Sequence, residues 1–97
     1  MFNKIKAIQE LKNQANQIKK ILSEERIEGS GNWGKIKIIM DGNQEVLSVE
    51  IADELIGDKS KLESSIKEAI NDTIKKAQKV MAQKMSQIGG INLPGLK

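Results

Sequence analysis

Lys75, Lys76, Lys79, Lys84 and Lys97 stand in the last 23 residues of the chain without a single Asp or Glu among them. Every acidic residue lies at or before Asp72, so a chain of formal net charge +3 gathers a surplus of +5 into its final quarter. An unopposed row of ammonium groups does one kind of chemistry, the electrostatic capture of a large anion. The residue type narrows the mode. Fifteen of the sixteen basic side chains are lysine and Arg26 stands alone. Lysine acts as a point charge suited to phosphate, whereas reading guanine edges favours the bidentate fork of arginine. Phe2 and Trp33 are the only aromatics, which disfavours stacking of single-stranded bases. These residues fit contact with a duplex backbone, at weak sequence preference.

Other chemistry finds little support. The chain has no His, Cys or Tyr, so general acid–base work near neutral pH would fall to a perturbed carboxylate or lysine, and no residue is singled out for it. A Ser-His-Asp device, disulfides and thiolate metal sites are excluded. Gly29-Ser30-Gly31-Asn32-Trp33-Gly34 lacks the Gly-Lys-Ser/Thr ending of a P-loop and precedes a strand pattern. Asp41, Asn43 and Glu45 imitate the opening of a calcium loop, but Val46 stands where its glycine belongs. No enzyme, cofactor, metal or small-molecule substrate is expected. Lysines interrupt the N-terminal apolar residues, and no run approaches the ~18 residues of a membrane span. The expectation is a cytoplasmic protein without a membrane partner.

The elements that must position the lysines follow from periodicity. A single α+β domain over residues 1–97 is expected, with a helix over 1–25, a small antiparallel sheet of about three strands over 26–52, a helical region over 53–88 and a Gly/Pro tail over 89–97. In the first helix Ile8, Leu11, Ala15, Ile18 and Leu22 recur at steps of three and four, widened by Ile5 and Ile21. Lys4, Lys6 and Lys12 form a second basic set there, with Lys4 and Lys12 off that seam. Ile36, Ile38 and Met40 alternate as a strand, Asp41-Gly42-Asn43-Gln44 reads as a hairpin turn with Asp-Gly supplying a positive φ, and Leu47, Val49 and Ile51 share one face of the next strand. Arg26 to Ser30 adds a third, short strand. Ser60-Lys61-Leu62-Glu63 reads as a capping box, opening a helix that runs to about Gln87 with Leu62, Ile66, Ile70, Ile74, Ala77, Met81 and Met85 on one face. That helix is about 40 Å long, against a radius of gyration near 13 Å for a compact domain of this size. It is expected to project, or to pack along a partner. Lys75, Lys76 and Lys79 fall within one sector of it, with Lys84 further along. An aliphatic core this small also favours a twofold dimer.

Laid out in order, the chain resembles the YbaB/EbfC family of bacterial nucleoid-associated DNA-binding proteins. Gly34 to Ile51 is similar to the family's glycine, alternating strand, Asn-Gly turn and Glu-Val strand. Asp53-Glu54-Leu55-Ile56 resembles its Asp-Pro-Glu-Leu turn, Ala69-Ile70-Asn71-Asp72 with Lys75-Lys76-Ala77 its helix motif, and Gly89-Gly90-Ile91-Asn92-Leu93-Pro94-Gly95-Leu96 its C-terminal tail. Asp41 stands for the usual turn Asn, Glu54 for a common Pro, and Trp33 interrupts the glycine stretch. The resemblance implies a homodimer whose long helices project from a central sheet like tweezers and contact duplex DNA in the nucleoid. It carries over no base-reading residue, and structural roles are expected for Asn71 and Asp72. Trp33 reads as a packing residue or dimer contact in preference to a groove wedge. The competing function is a protein-interaction module that docks a partner through its amphipathic helices; a basic surface for acidic membranes is a weaker third.

Overall fold

The computed structural model describes residues 2–87, with side chains from Ile5 onward. The expected Gly/Pro tail, with Lys97, lies outside the described residues, as does the side chain of Lys4. The elements run α1 (Phe2–Ser23), β1 (Ile27–Gly31), β2 (Ile36–Met40), β3 (Val46–Ile51), a single 3-10 turn (Asp53–Leu55) and α2 (Lys59–Gln87). The three strands form one antiparallel sheet in the order β1-β2-β3. The α+β architecture expected from periodicity is present.

Alternation decides the two faces of the sheet. Ile27, Gly29 and Gly31 of β1 and Ile36, Ile38 and Met40 of β2 are buried on the side that meets α2. The opposite face carries Glu28, Lys37, Ser48 and Glu50 toward solvent, as a one-sided antiparallel sheet should. The helix meets that apolar face with a stripe of small side chains. Ser65, Ala69, Thr73 and Ala77 recur every fourth residue and are its buried residues, one above the other on a single helical face. Opposite them, a Cβ built on Gly29 would overlap the side chain and Cα of Thr73, and one on Gly31 would run into the backbone at Ser65 and Ala69. Absent side chains on the strand and small ones on the helix therefore let the two backbones touch. Leu55, folded in by the 3-10 turn, completes the cluster of Ile36, Ile38 and Ala69, with Leu62 and Ile66 beside it.

Two local expectations are corrected. α2 begins at Lys59, one residue before the proposed cap Ser60. Asp58 fills the cap role: its carboxylate accepts from Lys61 N (3.1 Å) and its carbonyl receives the first helical bond from Leu62 N (2.9 Å), as N-cap carboxylates do. In the β2–β3 turn the positive φ belongs to Gln44 (64°) and not to Gly42. Asp41 holds that turn by accepting from Asn43 N and Glu45 N at 2.8 and 3.0 Å. Gly42 serves a close approach instead, since its N–H donates to Leu22 O at 2.8 Å and a Cβ there would press on Leu22.

That contact anchors α1. Leu22 is buried, Asn43 Nδ2 donates to Lys19 O, and Ile18 and Ile21 are half-buried. The rest of its seam is not covered: Ile5, Ile8 and Leu11 are exposed, Ile8 at 64%. The molecule measures 63 × 21 × 18 Å with a radius of gyration of 18.2 Å. Strands of five or six residues span no more than about 20 Å, so the helices supply the length. Replacing Gly29 with Ala should lower stability by about 2 kcal/mol, a fall in Tm of roughly 10 °C in a thermal melt followed by circular dichroism. Gly57→Ala, where a Cβ meets nothing, should change Tm far less.

Candidate nucleic-acid interface

The four candidate lysines in the C-terminal half of α2, Lys75, Lys76, Lys79 and Lys84, do not form one row. Lys75 and Lys79 are one turn apart, exposed, and among the described residues without an ion-pair partner. They lie on the side of α2 turned away from the sheet, because Thr73 and Ala77, two residues before each, face it. Lys76 turns toward the flank. Its Nζ sits 3.0 Å from Asp72 Oδ2 and 3.4 Å from the Glu28 carbonyl. Lys84, nine residues beyond Lys75, is about half a turn around the helix from it. It reaches back to Glu25 at 2.8 Å, both side chains largely covered. Of these four, two cations face outward, and two are matched by carboxylates, Asp72 one turn back on α2 and Glu25 in the segment between α1 and β1. Lys6 and Lys12 are exposed on the part of α1 beyond its anchored end and make no ion pair among the described residues.

Asp72 is the residue whose role spacing did not announce. One oxygen, Oδ2, accepts both the Ser30 backbone N–H at 2.9 Å and the Lys76 ammonium. The hydrogen bond from Ser30 is the largest cause that holds its carboxyl below the ordinary value of 3.8, followed by the bond from Lys76; burial opposes them, and the positive charges of Lys76 and Lys75 add smaller lowering effects. A polar hollow of about 480 Å³ opens at this point, lined by Ser30, Glu68, Asn71, Asp72, Lys75 and Lys76. With two carboxylates beside its two lysines it is not an anion pocket. Among the described residues no cluster of three or more carboxylates could hold a metal, and no helix is long and apolar enough to cross a membrane.

Trp33 is not packed within the chain. It is 99% exposed at the tip of the β1–β2 hairpin, in a run of left-handed residues, Asn32 (φ 51°), Trp33 (58°) and Gly34 (84°). Asn32 fixes that tip by donating from Nδ2 to Ser65 Oγ at 3.0 Å. A bulky residue in this region costs roughly 1–2 kcal/mol. The tip stands over the N-terminal part of α2, where Asn32 meets Ser65, ten residues and about 15 Å along the helix before Lys75.

The remaining exposed surface of note is apolar. Ile51 and Val49 lie directly opposite Ile36 and Ile38 and so share their face of the sheet. Ile36 and Ile38 are buried under α2, yet Val49 is 50% and Ile51 39% exposed. α2 packs over β1 and β2 and leaves the same face of β3 open. Ile66 and Ile70, on the flank of α2 nearest that face, border a shallow hollow with Glu63, Lys67 and Asn71.

A family model described as the YbaB/EbfC DNA-binding family matches residues 1–91. Proteins named nucleoid-associated protein are similar over nearly the whole chain. One from Syntrophobacter fumaroxidans is 33% identical, covering 99% of this chain and 90% of the relative. Another, from Alkaliphilus metalliredigens, is 30% identical over 99% and 87%. Among solved structures, an uncharacterized protein from Helicobacter pylori superposes with a TM-score of 0.72 at 18% identity, over 87% of this chain and 90% of that one, which shows a shared fold.

The lowered pKa of Asp72 has a consequence for stability whose sign can be tested. A carboxylate with a lowered folded pKa stabilises the fold above its ordinary value and loses that contribution as pH falls below it. Wild-type Tm should exceed that of Asp72→Asn at neutral pH, and the gap should close as pH is taken below 3.8.

Proposed function

The chain belongs to the YbaB/EbfC DNA-binding family, and on that premise we propose that it is a nucleoid-associated protein that binds duplex DNA as a homodimer. Lys75 and Lys79 make its principal phosphate contacts. The observation that carries this assignment is their placement: they stand one turn apart, exposed and unpaired, on a stretch of helix with no acidic residue after Asp72. Of the two carboxylates in the hollow beside Lys75, Asp72 is already engaged by Ser30 and Lys76, and Glu68 makes no ion pair among the described residues. Lys4, Lys6 and Lys12 on α1 form the second phosphate-binding set. Lys76 and Lys84, spent on internal pairs, add to the field more than they touch the backbone. Point charges of this kind read backbone position and not base identity, so sequence preference is weak. Names shared with nucleoid-associated relatives support a place in the bacterial cytoplasm, on the nucleoid.

Dimerisation is supported by the open face of β3. Val49 and Ile51 continue a core that α2 covers only in part, and a second copy supplies the missing apolar cover. Two copies also double the outward lysines, which matters because phosphate contacts act together through release of condensed counterions.

Changing Lys75 and Lys79 together to Gln should weaken binding to all duplex sequences alike. In gel shifts at several salt concentrations, the slope of log K against log salt should become shallower by about 0.9 for each phosphate the variant no longer neutralises. Weakening confined to one sequence would mean base reading, and no change would remove these lysines from the interface. Lys84→Gln should alter the slope less. For the dimer, light scattering at micromolar protein should give about twice the mass of one chain, and Val49→Asp should shift it to the mass of one.

A further inference from the structure

A three-stranded sheet has two edges, and each edge strand offers a row of N–H and C=O groups to another chain. In this protein the two edges are unlike. At β3 all six residues are exposed, with apolar Val46, Leu47, Val49 and Ile51 among them. At β1 two neighbouring outward groups are already taken by α2. Ser30 N–H donates to Asp72 Oδ2 at 2.9 Å, and the Glu28 carbonyl accepts from Lys76 Nζ at 3.4 Å. Asp72 and Lys76 are one turn apart on the helix and 3.0 Å from each other. Their spacing matches the amide and carbonyl that an adjacent strand would engage at Glu28 and Ser30.

We infer that the Asp72–Lys76 pair is an edge guard: it occupies β1 in place of a neighbouring strand, so that self-association through the sheet can use β3 alone. The chemistry fits the task. An acceptor meets the strand's donor, a donor meets its acceptor, and the two charges hold each other in place across one turn. The small-residue contact under Gly29 and Gly31 brings α2 near enough for both side chains to reach round the strand. With one edge closed, sheet-mediated assembly is isologous and stops at two copies; with both open, the same chain can add copies at either side and grow without limit. The limit to two rests on the dimer proposed above, whereas the closing of β1 does not.

The test compares the full chain with Asp72→Ala and with the double variant Asp72→Ala/Ser30→Pro. Proline at Ser30 removes the N–H that an incoming strand would use, a substitution tolerated at strand edges when that N–H faces outward. By light scattering, wild type should keep one mass over a hundredfold concentration range. Folded Asp72→Ala, checked by circular dichroism, should grow with concentration to at least about twice the wild-type mass, and the added proline should return it to the wild-type value. A folded Asp72→Ala that keeps the wild-type mass overturns the inference, as does growth that the proline fails to reverse. Where Asp72→Ala does not fold, Lys76→Ala, which frees the Glu28 carbonyl, is read by the same mass criterion against the same proline. A wild type that proves monomeric overturns the dimer and leaves the comparison between variants to decide the guard.

Discussion

The contact on which the structure depends is the approach of α2 to β1. A stripe of Ser65, Ala69, Thr73 and Ala77 rests on strand backbone at Gly29 and Gly31, with no side chain thick enough to hold the two apart. Interiors this close tolerate little added volume. The position of α2 over β1 and β2 then determines much else. It brings Asp72 and Lys76 to the outer edge of β1, and it turns Lys75 and Lys79 away from the sheet. It also leaves the apolar face of β3 uncovered. A helix held off by larger side chains, or centred on β2, would cover β3 and lose its reach to the β1 edge.

The lysines illustrate how proximity in sequence and equivalence in space part company. Four of them crowd into ten residues of one helix, but a helix distributes neighbours around its axis, and each meets a different environment. Lys76 and Lys84 point to carboxylates and carbonyls that the fold has left in need of a donor. The more exposed of these, Lys76–Asp72, adds little stability; the effect of both pairs is to fix where a charge stands and to withdraw it from outside partners. What is presented outward is a pair of cations one turn apart, a smaller and better defined feature than the acid-free stretch suggests.

Much of the fold was legible in the sequence. Alternation located β2, the steps of three and four gave both helices, and the order of motifs gave the family. The short strand β1 was anticipated from its place before the glycines, though its role as the seat of α2 was not, since a Gly-x-Gly pattern reads first as a turn. The positive φ moved from Gly42 to Gln44 and the helix cap from Ser60 to Asp58 because Asp41 and Asp58 both bond to backbone amides nearby. Composition marks that capacity but does not say which amides will use it. The exposure of β3 was out of reach for a different reason. Leu47, Val49 and Ile51 have the alternation of a covered strand, and periodicity cannot say whether the cover comes from the same chain. Lys84 escaped because its partner, Glu25, is 59 residues away.

Trp33 has a practical meaning of its own. It is the only tryptophan in a chain that has no tyrosine, and it is 99% exposed on its hairpin tip. Its indole is bathed in water in the folded chain, as it is after unfolding. The intrinsic fluorescence of this protein is therefore nearly blind to whether the chain is folded, yet alert to anything that settles on the tip. Nature has left the molecule with a single lamp, mounted on the outside.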